Sequence, residues 1–215
     1  MQLTNIKTLL SQSLDEEALT EKQKSVLQAS LKLFAEKGFN DTKTSDIAIL
    51  AGVAEGTVYK HFKTKENILN SILSPFIKGV IPRAANEFIA ELKSKSFVTL
   101  RDLLEYIIKD RLTFAEENQF IAKIFIQELF QKPEVSKQLM SVIKQRILVS
   151  MNPILNDLKN RNELINISTM KFFQYLFSIV VGYIIPVILT NNYQNIDIDN
   201  ITNESVDFLI HGMKP

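Results

Sequence analysis

Residues 47–66, IAILAGVAEGTVYKHFKTKE, interrupt a chain otherwise built of long amphipathic stretches. They hold two of its six glycines, one of its two histidines, and the lysines Lys60, Lys63 and Lys65. Before Gly52, Ile47, Ala48 and Leu50 supply the inward face of a short helix from Ser45 to Leu50 or Ala51, which Thr42 or Thr44 can cap. After it, a helix from Glu55 to His61 turns Val58 and Phe62 inward, since i and i+4 share a face, and leaves Tyr59 outward. Gly52 accepts a positive φ, and the small Ala48 and Ala51 let two short helices cross closely. A second helix held in this way on a three-helix core can enter a DNA major groove. From Gly56 to Lys65 every charge is basic, and a local basic face is what nucleic-acid binding needs even at a net charge of +1.

The flanking sequence extends the helical pattern. Upstream, Val26, Leu27, Ser30, Leu31, Leu33 and Phe34 form one stripe of a helix from Glu21 to Lys37, with Gly38 as a left-handed C-cap. Downstream, Ile68, Leu69, Ile72 and Leu73 form the stripe of a helix that begins near Lys65. Leu3, Ile6, Leu10 and Leu14 could share a face, but Asp15, Glu16 and Glu17 suit a minor-groove arm poorly, so the first 19 residues are expected as frayed helix or disordered chain. Beyond Leu73 the helices lengthen: Arg83 to Lys93, Thr99 to Glu116, Gln119 to Lys132, Glu134 to Asn160 with a bend at Pro153, Ser168 to Thr190, and Thr202 to Gly212. Pro75 and Pro82 leave two courses open, a kink at Pro75 or an end near Val80. Apolar spacing of three and four without long period-two alternation makes the chain all-α. Its expected divisions are an extension at 1–20, a helix-turn-helix domain at 21–73 and a larger helical domain at 74–215.

Composition narrows the chemistry. At 215 residues, 46% hydrophobic and 23% charged, the chain can bury one good-sized core or two small ones. Without cysteine it has no disulfide, thiolate nucleophile or Cys-ligated zinc, which is compatible with a reducing cytoplasm. The N-terminus lacks a basic region followed by an apolar run, so no signal peptide is read. No nucleophile–base pair, metal-ligand spacing or glycine-rich phosphate loop stands out, and His61 and His211 lie far apart in sequence. The expectation is therefore a protein that is not an enzyme, with no metal and no cofactor.

Residues 24–69 resemble the DNA-binding domain of TetR/AcrR-type transcriptional regulators. The likeness is carried by Phe34, Gly38, Phe39, Thr42, Thr44, Ile47, Ala48, Ala51-Gly52-Val53, Gly56-Thr57, Tyr59, His61-Phe62, Lys65-Glu66 and Leu69. It implies that the third helix reads DNA, with Glu55, Gly56, Thr57, Tyr59 and Lys60 facing the groove. By the same likeness Thr57, Tyr59 and His61 touch phosphate, Lys65 meets the backbone, and Thr44 and Ser45 approach phosphates or base edges. Ala54 stands where the family often has a capping serine, so the reading helix is expected to lack a side-chain N-cap. Glu55 has two readings: acceptor from a cytosine amino group, or favourable charge at a helix N-terminus.

The resemblance further implies that the larger domain binds an effector and dimerises. Its phenylalanines suit an apolar pocket or simply a core. Arg111 falls in the stripe of Leu104, Ile107, Ile108 and Leu112, and Glu128 in that of Ile121, Ile124, Phe125 and Leu129. Burial without a partner is costly, so the two are expected to pair with each other or to meet a polar ligand group. The pocket candidates are Arg111, Phe114, Phe125, Glu128, Phe172 and Tyr175. Leu176 to Thr190 is apolar nearly all round but, at 15 residues, is read as too short to span a bilayer, so no membrane partner is expected. Such a helix must be covered on every side. Phe177, Val180, Val181, Ile184, Ile188, Phe208 and Leu209 are the candidates for a twofold interface. The reading is a cytoplasmic homodimeric repressor that binds a palindromic double-stranded DNA operator and is released by a small lipophilic effector. The alternative is a helical carrier of a small hydrophobic ligand that does not bind DNA.

Overall fold

The computed structural model describes residues 10, 13, 19–190 and 197–215, apart from the side chains of Phe120, Ile121, Gln127, Phe130, Ile188 and Leu189. The described residues are helical and contain no strand. The chain forms two compact units, one comprising residues up to Ala84 together with Phe120–Leu139, the other Ala85–Gln119 with Met140–Pro215.

In the first unit, α1 spans Glu21–Lys37, α2 Thr44–Ala51, α3 Glu55–Phe62 and α4 Lys65–Pro75. A capping box starts α1: the Thr20 side chain accepts from the Gln23 backbone N–H, and the Gln23 side chain accepts from that of Thr20. Gly38 ends it as expected but at φ 86°, ψ 160°, an extended conformation of positive φ rather than a left-handed helical one. Val26, Leu27, Leu33 and Phe34 of α1 are buried, as are Ile47 and Ala48 of α2, Val58 and Phe62 of α3, and Ile68, Leu69, Ile72 and Leu73 of α4. Neither Thr42 nor Thr44 caps α2, whose N-cap is Lys43 without a side-chain bond. Thr42 is instead buried, its hydroxyl placed 2.7 Å from the Gly38 carbonyl and 3.2 Å from that of Leu33.

Leu10 and Ser13 are helical and buried, which corrects the expectation of frayed chain for those two positions; Leu3, Ile6 and Leu14 lie outside the described residues. Ser13 lies against Gly79, where an added Cβ would come within 2.8 Å of its Oγ.

The chain neither kinks sharply at Pro75 nor ends at Val80. It continues through a π-helical stretch, Phe76–Val80, into α5, Ile81–Ser94. A second such stretch, Ile143–Leu148, joins α8, Pro133–Val142, to α9, Val149–Asn160. Both lie N-terminal to a proline, Pro82 and Pro153 respectively, the side on which a proline ring collides with the carbonyl four residues back and cannot donate to it. A widened turn accommodates both defects without ending the helix.

Helix α6 spans Leu100–Glu117 and α7 Gln119–Gln131. Helices α10, Thr169–Thr190, and α11, Ile198–Met213, complete the chain. The core of the second unit gathers Leu103, Leu104 and Ile108 of α6, Leu155 of α9, Phe172 of α10 and Val206 of α11, all fully buried.

Candidate nucleic-acid interface

Gly52 ends α2 in the left-handed region, at φ 66° and ψ 33°, and Val53 donates back to the Ala48 carbonyl at 3.0 Å. This tight reversal sets the start of α3, where Ala54 provides no side-chain cap. Val58 and Phe62 anchor α3 inward. Glu55, Gly56, Tyr59, Lys60 and His61 are exposed on the other side, Tyr59 at 71%, while Thr57, Thr44 and Ser45 are half-buried. Glu55 lies in the first turn of α3, and Lys60 and His61 in its last, an order that favours the helix dipole at both ends.

Two features escaped the sequence reading. Lys63 sits at φ 63°, ψ −46°, and Thr64 N–H donates to the Phe62 carbonyl at 2.7 Å across it. This is a γ-turn of positive φ, a strained conformation for a side chain with a Cβ. It turns the chain from α3 into α4, where the Thr64 hydroxyl accepts from the Asn67 N–H. The second feature is a cleft of about 370 Å³ lined by Thr44, Glu55, Gly56, Val58, Tyr59, Lys63, Thr64 and Ile68. It brings the starts of α2 and α3 together with the α3–α4 turn. No periodicity signal marks Lys63; its position beside a helix end was the only hint.

Lys65 corrects an expectation. Its ammonium donates to the carbonyls of Phe39, Asn40 and Thr42 at 2.5, 3.1 and 2.9 Å and lies 4.5 Å from the Phe39 ring centroid. An ammonium has three donors, and all three are engaged within the unit. Lys65 is thus a clip for the segment after α1 and not a phosphate contact. Nearby, the Lys37 ammonium, hydrogen-bonded to Asp46 at 3.0 Å, holds that carboxyl below its ordinary value.

The pocket candidates do not form one cluster. Arg111 and Phe114 meet: the guanidinium lies over the rings of Phe88, at 4.2 Å, and Phe114, at 4.9 Å, and bonds Asp110 through Nε at 2.7 Å. Burial pushes the Asp110 carboxyl up, with Arg111 opposing the shift. Glu128, nearly buried, pairs with Lys132 at 2.7 Å, and Lys132 also donates to Asn70 Oδ1 at 2.8 Å. Each charge therefore has a partner inside its own unit, which corrects the expected Arg111–Glu128 pair. Phe125 meets Phe76 edge-on at 5.1 Å, Phe172 is core, and Tyr175 is half exposed.

Val180 and Leu209 are buried in the core of their own unit, so they are corrected from interface to core. Phe177 and Phe208 are exposed, at 47% and 75%; Val181 and Ile184 are half-buried, and the Ile188 side chain lies outside the described residues. The length argument against a membrane span also fails, because Thr169–Val187, 19 residues at mean hydropathy 1.5, is long and apolar enough to cross one. A single such helix is weak evidence, since helices of soluble proteins meet the same measure.

Residues 26–72 match the family described as bacterial regulatory proteins, tetR family. An uncharacterized HTH-type transcriptional regulator, YhgD of Bacillus subtilis (strain 168), is 30% identical over 131 residues, covering 59% of this chain and 68% of that protein. The fatty acid metabolism regulator protein of the same organism is 24% identical over 193 residues, covering 87% of this chain and 93% of its own length. Among solved structures, the transcriptional regulator FadR from Bacillus subtilis in complex with stearoyl-CoA has TM-score 0.56 at 21% identity, over 87% of this chain and 97% of that one.

Proposed function

The chain belongs to the tetR family of bacterial regulatory proteins, and from that premise we propose a ligand-responsive repressor that binds a palindromic DNA operator as a homodimer in the cytoplasm. The observation that carries this reading is the exposed face of α3, where Gly56, Tyr59, Lys60 and His61 stand on a helix fixed inward by Val58 and Phe62. In this reading Tyr59, Thr57 and His61 hold phosphates, Lys60 meets base edges, and Ser45 approaches the backbone from the start of α2. Lys63 joins them as a phosphate contact in place of Lys65. The division of labour is DNA binding by residues 21–73, and effector binding and dimerisation by residues 74–215.

Two copies reading successive major-groove faces need their α3 helices about 34–36 Å apart. An effector that prefers the non-binding state lowers operator affinity by its differential affinity, about 1–3 kcal/mol in typical couplings. A lipophilic effector fits the aromatic content of the larger domain, and the relative solved with stearoyl-CoA points the same way. Electrophoretic mobility shift on the promoter beside the chain's own gene tests the reading: a saturable, salt-sensitive complex supports it, and none at low salt excludes it. Lys63→Gly relieves a strain of roughly 1–3 kcal/mol against about 1 kcal/mol of added chain entropy. It should therefore raise the melting temperature slightly while lowering the salt slope of binding by about 1.

The exposed apolar face of α10 and α11 is assigned to the second copy, with Phe177 and Phe208 at its centre. Phe208→Glu introduces a charge that desolvation disfavours, so light scattering after size exclusion should show it as a monomer at concentrations where the native chain is a dimer.

A further inference from the structure

Thr44 opens α2 and Glu55 opens α3, and the Thr44 hydroxyl donates to Glu55 Oε1 at 2.8 Å. A carboxylate on a DNA-facing helix is repelled by phosphates, so its presence in the groove calls for a specific donor. The helix-terminus role alone would need no such tether, because a charge near the first turn acts without one fixed geometry. Here the side chain is held by one oxygen on the wall of the cleft that also contains Tyr59 and Lys63. An ionised carboxylate only accepts, with room for about four hydrogen bonds, so an anchored Glu55 keeps most of its capacity.

The major-groove edges of the bases offer two donors, cytosine N4 and adenine N6. Adenine also presents the N7 acceptor beside N6, whose lone pair opposes a second carboxylate oxygen and suits an amide. Cytosine presents only a C–H there. We infer that the Thr44–Glu55 pair is a cytosine reader, with Glu55 accepting from the N4 amino group in each half-site and Thr44 positioning the carboxylate. This inference rests on the DNA-binding reading above.

Binding-site selection from a randomised duplex library, followed by titration of the selected duplex and its single-base variants, tests it. The native chain should select cytosine at one position per half-site, and replacing that base should weaken binding about 5- to 150-fold. Glu55→Gln should move the preference at that position to adenine, which an amide contacts through both N6 and N7. Thr44→Val should erode the cytosine preference, and Thr44→Ser, which keeps the hydroxyl, should retain it. If Glu55→Gln selects the same sequences as the native chain and changes only the melting temperature, Glu55 is a helix-terminus charge and the inference fails. If Thr44→Val selects as sharply as the native chain, the positioning role fails. A native chain that selects no sequence and shows no saturable binding overturns the DNA-binding reading itself, an outcome distinct from the other two.

Discussion

Phe172→Ala should destabilise the second unit by about 3–5 kcal/mol, because a fully buried aromatic ring is removed from a packed core. For a unit of this size each kcal/mol moves the melting temperature by roughly 4–8 °C, so calorimetry should show a drop of well over 10 °C. Phe172→Leu, which keeps much of the volume, should cost less than half as much. A pocket wall would behave differently: truncation would alter effector affinity with little change in melting. The ring's complete burial beside Leu104, Ile108 and Leu155 places it on the side of stability.

The second large effect is expected at Lys65. Lys65→Ala removes three charge-assisted hydrogen bonds and the contact over Phe39. Such bonds contribute about 1.5–3 kcal/mol each when fully buried, but water can reach this site, so a total of about 2–3 kcal/mol is expected. Thermal melting of the variant checks that figure. The salt slope of DNA binding, measured well below the melting point, should stay at the native value, because no phosphate contact is lost. A slope reduced by about 1 would instead return Lys65 to the phosphate-contacting set.

How much of this was legible in the sequence differs by element. Helix α1 runs between the residues expected, Glu21 and Lys37, because both ends carry local chemistry, Thr20 with Gln23 at one and Gly38 at the other. The α2–α3 turn was equally legible, since Gly52 is a residue without a Cβ at a position that requires positive φ. The exposed face of α3 followed from the spacing of Val58 and Phe62. The role of Lys65 did not, because its partners are backbone carbonyls of a loop more than 20 residues earlier, and carbonyls have no side-chain signature. Thr42 escaped for the same reason: its hydroxyl serves the end of α1 and not the start of α2. Val180 and Leu209 were misassigned because a helix apolar on all faces does not show which face meets its own core. The prolines marked where the helical ladder had to change, but not that a π-helical widening would resolve it.

The Lys65 clip also has a kinetic meaning. By holding the carbonyls that follow α1 from the first residue of α4, it closes a loop of chain that contains all of α2 and α3. A contact of this kind acts as a reversible cross-link whose loop-closure cost has already been met in the folded state, so neither enclosed helix can open alone without straining it. The amides of α2 and α3 should then exchange with solvent through one shared opening event, at a common free energy, instead of fraying helix by helix. For two helices of eight residues each, too short to persist by themselves, that shared opening is what keeps the reading surface present between encounters with DNA.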